Sequence, residues 1–337
     1  MIPHNLPTLG IEEKCAASKV IMSGWVAQGQ EVESFENELC NYFDLPEGHA
    51  LAVSSGSSAL YLSLLVLNAE NKNIGLPVYA CAALRNAIGM VNGNPIYFDC
   101  KEGSPNIDIS SINKKDIDIL IAASIYGIPI KIPTENNFMI IEDIAQSMGA
   151  VTCGKKIGLR GDIGICSFYA TKMITSGGQG GAVISKNKEL IDKLRDYRAF
   201  DCRDDKLLRF NFQMTDLQAS VGRVQLKKLP DFLKKRNKIF RHYMSLGLNL
   251  FDVEESSDLS AKYRAVIKSR EPQKLIEELA SNNIKSIVPI EQWELLDDPK
   301  YYPNALKLSN ETVSLPIYPN LNVNNVKIIS NIAKKYS

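Results

Sequence analysis

Short apolar runs alternate with longer apolar or amphipathic stretches through the first half of the chain. "ALAV" (50–53) has strand length, and "GSSALYLSLLVLN" (56–68) reads as a mostly buried helix. "NIGLP" followed by "CAALRNAIGMV" repeats the order, and "PIYFD", "DILIAAS" and "NFMIIED" are further apolar runs of strand length. Near-continuous apolar strands separated by helices predict an α/β fold, a mainly parallel sheet with helices on both faces. After residue 160 the pattern changes. "GICSFYA" and "GAVIS" are two short strands joined by a loop rather than a helix, so part of the sheet is expected to be antiparallel. From "KELIDKLRDYRAF" onward the chain becomes helical, and "MTDLQASVGRVQLKKL" sets Leu217, Val221, Val224 and Leu229 roughly on one face. Pro230 permits a fresh helix start, because proline is tolerated in a first turn. A boundary is placed there, giving a large unit, 1–229, and a small C-terminal unit, 230–337. "ESSDLSAK" reads as a surface loop, and no internal repeat or low-complexity segment is evident.

Composition narrows the function classes. The chain has 337 residues, enough for one large and one small domain. Lys+Arg 39 against Asp+Glu 38 leaves a net charge of +1, with no basic excess for nucleic acid and no charged tail. "MIPHNLPTLGIEEK" lacks the charged-then-apolar order of a signal peptide. The longest apolar stretch, "IDILIAASIYGIPI", is too short for a bilayer and is interrupted by Gly127 and Pro129. Seven cysteines without a CxxC pair suggest reduced thiols, mostly buried, in the cytosol. His4, His49 and His242 are the only histidines; none has metal-ligand spacing, so no metal site is expected. None stands near a nucleophile-like turn either, which disfavours a Ser-His-Asp hydrolase.

Three stretches carry candidate chemistry. In "SSGSSAL" a strand ends and serines open a helix. Free N–H groups and hydroxyls there make an anion site, although an ordinary serine N-cap would look the same. It is neither a P-loop nor GxGxxG. In "FMIIEDIAQSMGA", Glu142 and Asp143 follow an apolar strand, at the edge where α/β proteins bind ligands. A carboxylate there could hold a cationic nitrogen or merely cap a helix. Gln146 shares a face with Asp143 if a helical turn begins at once. In "SFYATKMITSGGQGGAVIS", Lys172 stands between apolar runs and a glycine-rich turn. Partial desolvation would make its amine a usable nucleophile and base, while most lysines on loops are simply solvated. A phosphate cradle, a carboxylate for a ring nitrogen and an activated lysine are together the needs of pyridoxal 5'-phosphate chemistry.

At this point the chain resembles the DegT/DnrJ/EryC1/StrS family, sugar aminotransferases of the aspartate aminotransferase fold type I. The resemblance covers nearly the whole chain. It runs through "SGWVAQGQEVESFENELCNYF", "SSGSSAL", "IEDIAQSMGA", "GDIGICSFYATK" with "GGQGGAVIS", "NFQMTDLQASVGRVQLKKLPDFLKKR" and "VSLPIYPNLN". It implies that 1–229 is a large cofactor-binding domain and 230–337 a small α+β domain. It implies further that Lys172 bonds covalently to the cofactor aldehyde, that Asp143 partners the pyridine nitrogen and that Gln146 lies near the ring hydroxyl. Ser57, Ser58 and Ser167 match phosphate-binding positions. Asn211 matches an asparagine that reaches the phosphate from a neighbouring subunit, which implies a homodimer with shared active sites. Trp25 falls where the family often builds part of its substrate pocket, and packs equally well as interface. The implied reaction moves an amino group, with glutamate as donor, onto a keto group of a nucleotide-linked sugar in surface polysaccharide or antibiotic-sugar biosynthesis. Lys172 would serve as general base and Asp143 as electrostatic partner.

Three positions depart from the family pattern. Cys81 falls where an aromatic side chain commonly stacks on the cofactor ring, leaving Tyr79 to compensate or the ring less tightly held. Gln213 replaces a usual arginine and Glu291 a frequent histidine. Two other readings stand beside the aminotransferase. One is a related sugar dehydratase, against which Lys172 argues because that enzyme has histidine there. The other is a cofactor-binding protein without turnover.

Overall fold

The computed structural model describes residues 1–113, 116–133, 137–253 and 257–337. Part of the loop read from "ESSDLSAK", residues 255–256, lies outside these described residues. In chain order the strands are β1 (Ala50–Val53), β2 (Asn73–Pro77), β3 (Asn94–Phe98), β4 (Ile119–Ala123), β5 (Met139–Asp143), β6 (Val151–Thr152), β7 (Lys155–Lys156), β8 (Ile163–Ser167), β9 (Gly181–Ile184), β10 (Ala265–Lys268) and β11 (Thr312–Leu315). The helices are α1 (Ile11–Ser23), α2 (Gln30–Tyr42), α3 (Gly56–Val66), α4 (Ala83–Met90), α5 (Lys188–Arg198), α6 (Asp216–Ser245), α7 (Pro272–Ser281), α8 (Pro303–Glu311) and α9 (Val323–Ala333).

The apolar runs assemble into a seven-stranded sheet in the order β1-β9-β8-β5-β4-β2-β3. β2, β3, β4, β5 and β8 pair in parallel, whereas β9 runs antiparallel to both β8 and β1. The expected mixed sheet is thus present. The reversal sits where the sequence has a glycine-rich loop instead of a crossover helix. Alternate side chains feed the two faces, as strand geometry demands. From β1, Leu51 and Val53 join one apolar core with α3, α4 and α5, while Ala50 and Ala52 join a second core with α2 and α6. A third core forms around β10, β11, α7, α9 and the C-terminal half of α6.

α6 does not restart at proline. It is one continuous helix with Pro230 inside it, opened by a capping box in which Thr215 accepts from the Gln218 N–H. An interior proline costs about 3 kcal/mol. Burial of Leu226, Leu229 and Phe232 around it outweighs that cost. The buried face of the first half includes Ala219, Val221, Gly222, Leu226 and Leu229; Leu217 and Val224 are only half-buried. The cysteines also differ from expectation. All seven are free, but only Cys40, Cys100 and Cys166 are buried, while Cys15, Cys81, Cys153 and Cys202 are exposed. No described helix is long and apolar enough to cross a membrane.

Register brings the candidate stretches to one edge. Gly181 pairs with both Val53 and Ser167, and Asp143 pairs with Ile165 and Ala123. The C-terminal ends of β1, β5 and β8 therefore lie along one edge of the sheet, with the start of β9 between those of β1 and β8. Gly181 is also a point of close approach. A Cβ there would stand 2.4 Å from the Ser55 carbonyl carbon and oxygen and 2.7 Å from the Gly56 nitrogen. Gly181→Ala is expected to push the start of α3 off the sheet edge. Thermal unfolding should show a loss of about 1–3 kcal/mol, and affinity for pyridoxal 5'-phosphate should fall in parallel. Unchanged affinity would show that this turn does not hold the cofactor.

Candidate active site

The strand ends open onto a cavity of about 650 Å³, within the usual range of roughly 300–1,000 Å³ for small-molecule sites. Ser57, Asp143, Gln146, Ser167 and Lys172 all line it. On one side is the first turn of α3. Ser55 is its N-cap, accepting from the Ser58 N–H at 3.1 Å, and Ser57 is exposed to the cavity. Ser58 is placed differently. It is buried, and its hydroxyl lies 2.9 Å from both Ser54 Oγ and Ser55 Oγ, so it braces the turn from behind rather than lining the cavity.

Strand alternation separates the two carboxylates. Glu142, 2% exposed, turns away from the cavity and accepts from the N–H groups of Gly158 (2.9 Å), Gly161 (2.7 Å) and Arg160. It is an anchor for that loop. Asp143 faces the cavity. Its Oδ1 accepts from the Ala145 N–H at 2.9 Å, and among the described residues Oδ2 has no hydrogen-bond partner. Burial pushes this carboxyl above its usual range, opposed by the Ala145 hydrogen bond and the nearby Lys172 charge. Gln146 is fixed by the Tyr126 N–H, which donates to its Oε1 at 2.9 Å. Its amide NH₂ remains for a ligand.

Lys172 rides on the loop between β8 and β9. The Phe168 N–H donates to Gly180 O and the Ala170 N–H to Gly178 O, and Gly177 and Gly178 adopt φ of +76° and +139°, open to glycine. Asn5 Nδ2 donates to Thr171 O at 2.6 Å, so the N-terminal segment holds the residue preceding the lysine. Among the described residues Lys172 makes no ion pair. Its Nζ lies over the Tyr263 ring, 5.5 Å from the centroid. Burial alone would push the Tyr263 phenol up. The charges of Lys172 and Arg264, a hydrogen bond with Thr171 and the charge of Arg236 outweigh it, and the phenol falls below its usual range.

Other residues from the sequence reading lie elsewhere. Asn211 is exposed, outside the cavity, and its Oδ1 accepts from the Gln213 N–H. Trp25 is also exposed and outside the cavity; its Nε1 donates to Gln28 O. Cys81 lines the cavity, but Tyr79 does not stand in for it. Tyr79 is fully buried and its hydroxyl pairs with that of Tyr126. Glu291 begins a short turn that aims Trp293 and Glu294, not itself, into the cavity. Tyr263, Arg264, Arg85 and Trp293 also line the cavity and were not evident in the sequence. "KYR" directly before an apolar strand was the available signal for the first two.

These features meet what pyridoxal 5'-phosphate requires: a helix start for an anion, a buried carboxylate with one free oxygen, and an unpaired amine in one enclosure. The fold and site define an aminotransferase of the type I arrangement. The model of the DegT/DnrJ/EryC1/StrS aminotransferase family matches residues 7–333, and the chain belongs to that pyridoxal-phosphate-dependent family. It is 28% identical to GDP-perosamine synthase of Vibrio cholerae, with 100% of this chain and 99% of that one covered. It is 29% identical to a UDP-4-amino-4,6-dideoxy-N-acetyl-beta-L-altrosamine transaminase of Campylobacter jejuni over 72% of this chain and 69% of that one. Among solved structures, the aminotransferase TlmJ of Streptoalloteichus hindustanus superposes with a TM-score of 0.90 at 21% identity, covering 99% of this chain and 98% of that one. The putative sugar aminotransferase Spr1654 of Streptococcus pneumoniae, in its PLP form, gives 0.88 at 21% identity, covering 99% of each.

Proposed function

We propose that this sugar aminotransferase takes an amino group from glutamate and transfers it to the keto group of a nucleotide-linked sugar. The observation that carries the reading is the convergence of Ser57, Asp143 and Lys172 on one cavity of about 650 Å³ that Arg85 and Trp293 also line. The nucleotide-sugar relatives support the acceptor class. Ser57, Ser167 and the α3 N-terminus would hold the cofactor phosphate, Asp143 its ring nitrogen and Gln146 its ring hydroxyl. Asn211, exposed on its own chain, would reach the phosphate of a partner subunit in a homodimer. Bound there, pyridoxal phosphate supplies an aldehyde that bonds amines and a cationic ring that takes up an electron pair.

The chain's own groups then do the following. Lys172 would give up its bond to the cofactor when the donor amine takes its place; its freed Nζ would take the proton from the donor α-carbon and return it to the former aldehyde carbon, and water would then release the donor as its oxo acid. The same nitrogen reverses these transfers on the sugar. Opposite a cationic ring nitrogen Asp143 would stay ionised, the pairing offsetting the burial that otherwise disfavours its charge. The test is spectroscopic. Purified protein loaded with pyridoxal phosphate is expected to lose its visible band on addition of glutamate and regain it with one member of a panel of keto-sugar nucleotides. A band that glutamate never shifts would instead indicate a binding protein.

A further inference from the structure

Lys172 must do two incompatible things. It has to wait as a free amine or ammonium while the donor occupies its place, and it has to return as a base within reach of the reacting carbon. A carboxylate partner would hold the ammonium too firmly for the second task. Among the described residues no carboxylate lies within ion-pair distance of it; an aromatic face does, with Nζ 5.5 Å from the Tyr263 centroid. A ring holds a cation weakly enough to release it.

The backbone that carries this ring is held at three points. Arg236, 2% exposed, donates from Nη1 to Tyr263 O at 3.3 Å. The backbone of Gly127 passes so close that a Cβ there would stand 2.8 Å from Tyr263 N and 3.0 Å from its Cβ, and Gly127 has a φ of +88°. The Arg264 N–H donates to Tyr126 O, next to the same glycine. From the other side Asn5 pins Thr171 O, which fixes the loop that carries Lys172. Ring and lysine thus come to the cavity from segments 91 residues apart in sequence, each with its own backbone anchors, and the Tyr263 hydroxyl adds a hydrogen bond with Thr171 beside the lysine.

We propose that the face of Tyr263 is the seat of the Lys172 ammonium whenever the lysine is not bonded to cofactor, making Tyr263 a positioning residue of the transamination. The proposal rests on Lys172 being the cofactor-bonding lysine. It assigns the work to the electron-rich ring face, with the hydroxyl secondary.

The experiment uses the full chain without cofactor. A brief pulse of trinitrobenzenesulfonate at neutral pH labels free amines, and peptide mass mapping reads the rate at Lys172. Lys156, which sits over the Tyr42 ring, serves as the internal reference. Tyr263→Phe keeps the ring and is expected to label within about twofold of the parent. Tyr263→Leu removes the ring, and labelling of Lys172 alone should rise roughly 2- to 30-fold. To separate the ring face from any effect of leucine on the fold, fluorinated phenylalanines at 263, from mono- to pentafluoro, keep the shape while draining the ring face. Labelling should climb stepwise along that series. A flat series, or a change in Tyr263→Phe as large as in Tyr263→Leu, overturns the seat. Borohydride trapping of pyridoxal phosphate on another lysine overturns the reading beneath it, and the two failures are told apart because the labelling needs no cofactor.

Discussion

Lys172→Arg is expected to end borohydride-stable attachment of pyridoxal phosphate and to lower turnover by roughly 10²–10⁴-fold through lost proton transfer alone. The guanidinium keeps the charge but cannot be deprotonated, so it serves neither as nucleophile nor as base. The fold should survive. Lys172 is half-buried, makes no ion pair among the described residues, and its loop is held by backbone hydrogen bonds and by Asn5 rather than by the lysine itself. Unfolding is expected within about 0.5 kcal/mol of the parent. Lys172→Ala adds a second readout. The Lys172 charge lowers both the Asp143 carboxyl and the Tyr263 phenol, so both should titrate higher once it is gone. Turnover within tenfold of the parent, or attachment persisting at another lysine, would remove Lys172 from its role.

The strand ends were legible because each is a short apolar run with a polar residue immediately after it. That is how Asp143 and the serines before α3 could be placed at strand ends, and how the missing crossover helix announced the antiparallel β9, whereas Ser167 came only through the family resemblance. What period-2 alternation added was which of two adjacent carboxylates faces the cavity; Glu142 went to the loop at 158–161. Ser58 could not be told from Ser57 by composition, since only the helical rotation from one to the next turns one hydroxyl out and the other in. Pro230 misled because local propensity gives way to burial on both sides of it.

The rest of the site depends on contacts that no local window contains. Tyr263 and Arg264 arrive from the start of β10, Trp293 from a short turn beyond α7, and Asn5 from a segment 166 residues before the carbonyl it holds. Tyr79, the natural candidate to replace a stacking aromatic beside Cys81, is committed to Tyr126 by a hydroxyl pair invisible from its neighbours in sequence. A residue is readable when its role follows from its own element and hidden when it follows from a partner's.

Asp143→Asn is the substitution in which activity and stability should part company. Turnover is expected to fall by roughly 10²–10³-fold, the size of one lost preorganised electrostatic contact. Asparagine is nearly isosteric and can still accept from the Ala145 N–H, so the geometry of the turn is kept. Without cofactor, however, the native carboxylate is a buried charge with a free oxygen, and burial raises its proton affinity above that in the unfolded chain. Between the ordinary carboxyl value and that raised one, the folded state binds more protons than the unfolded, so stability falls as pH rises through the window and stays lower above it. The cofactor-free parent should therefore be stabilised by mild acidification through that window by this group, and the asparagine variant should lack this component and be at least as stable at neutral pH. Thermal unfolding of both proteins from pH 4 to 8, with and without pyridoxal phosphate, reads the difference. A variant less stable than the parent without cofactor would mean that Asp143 is held by contacts stronger than its single hydrogen bond, and that the carboxylate serves the fold rather than the ring nitrogen.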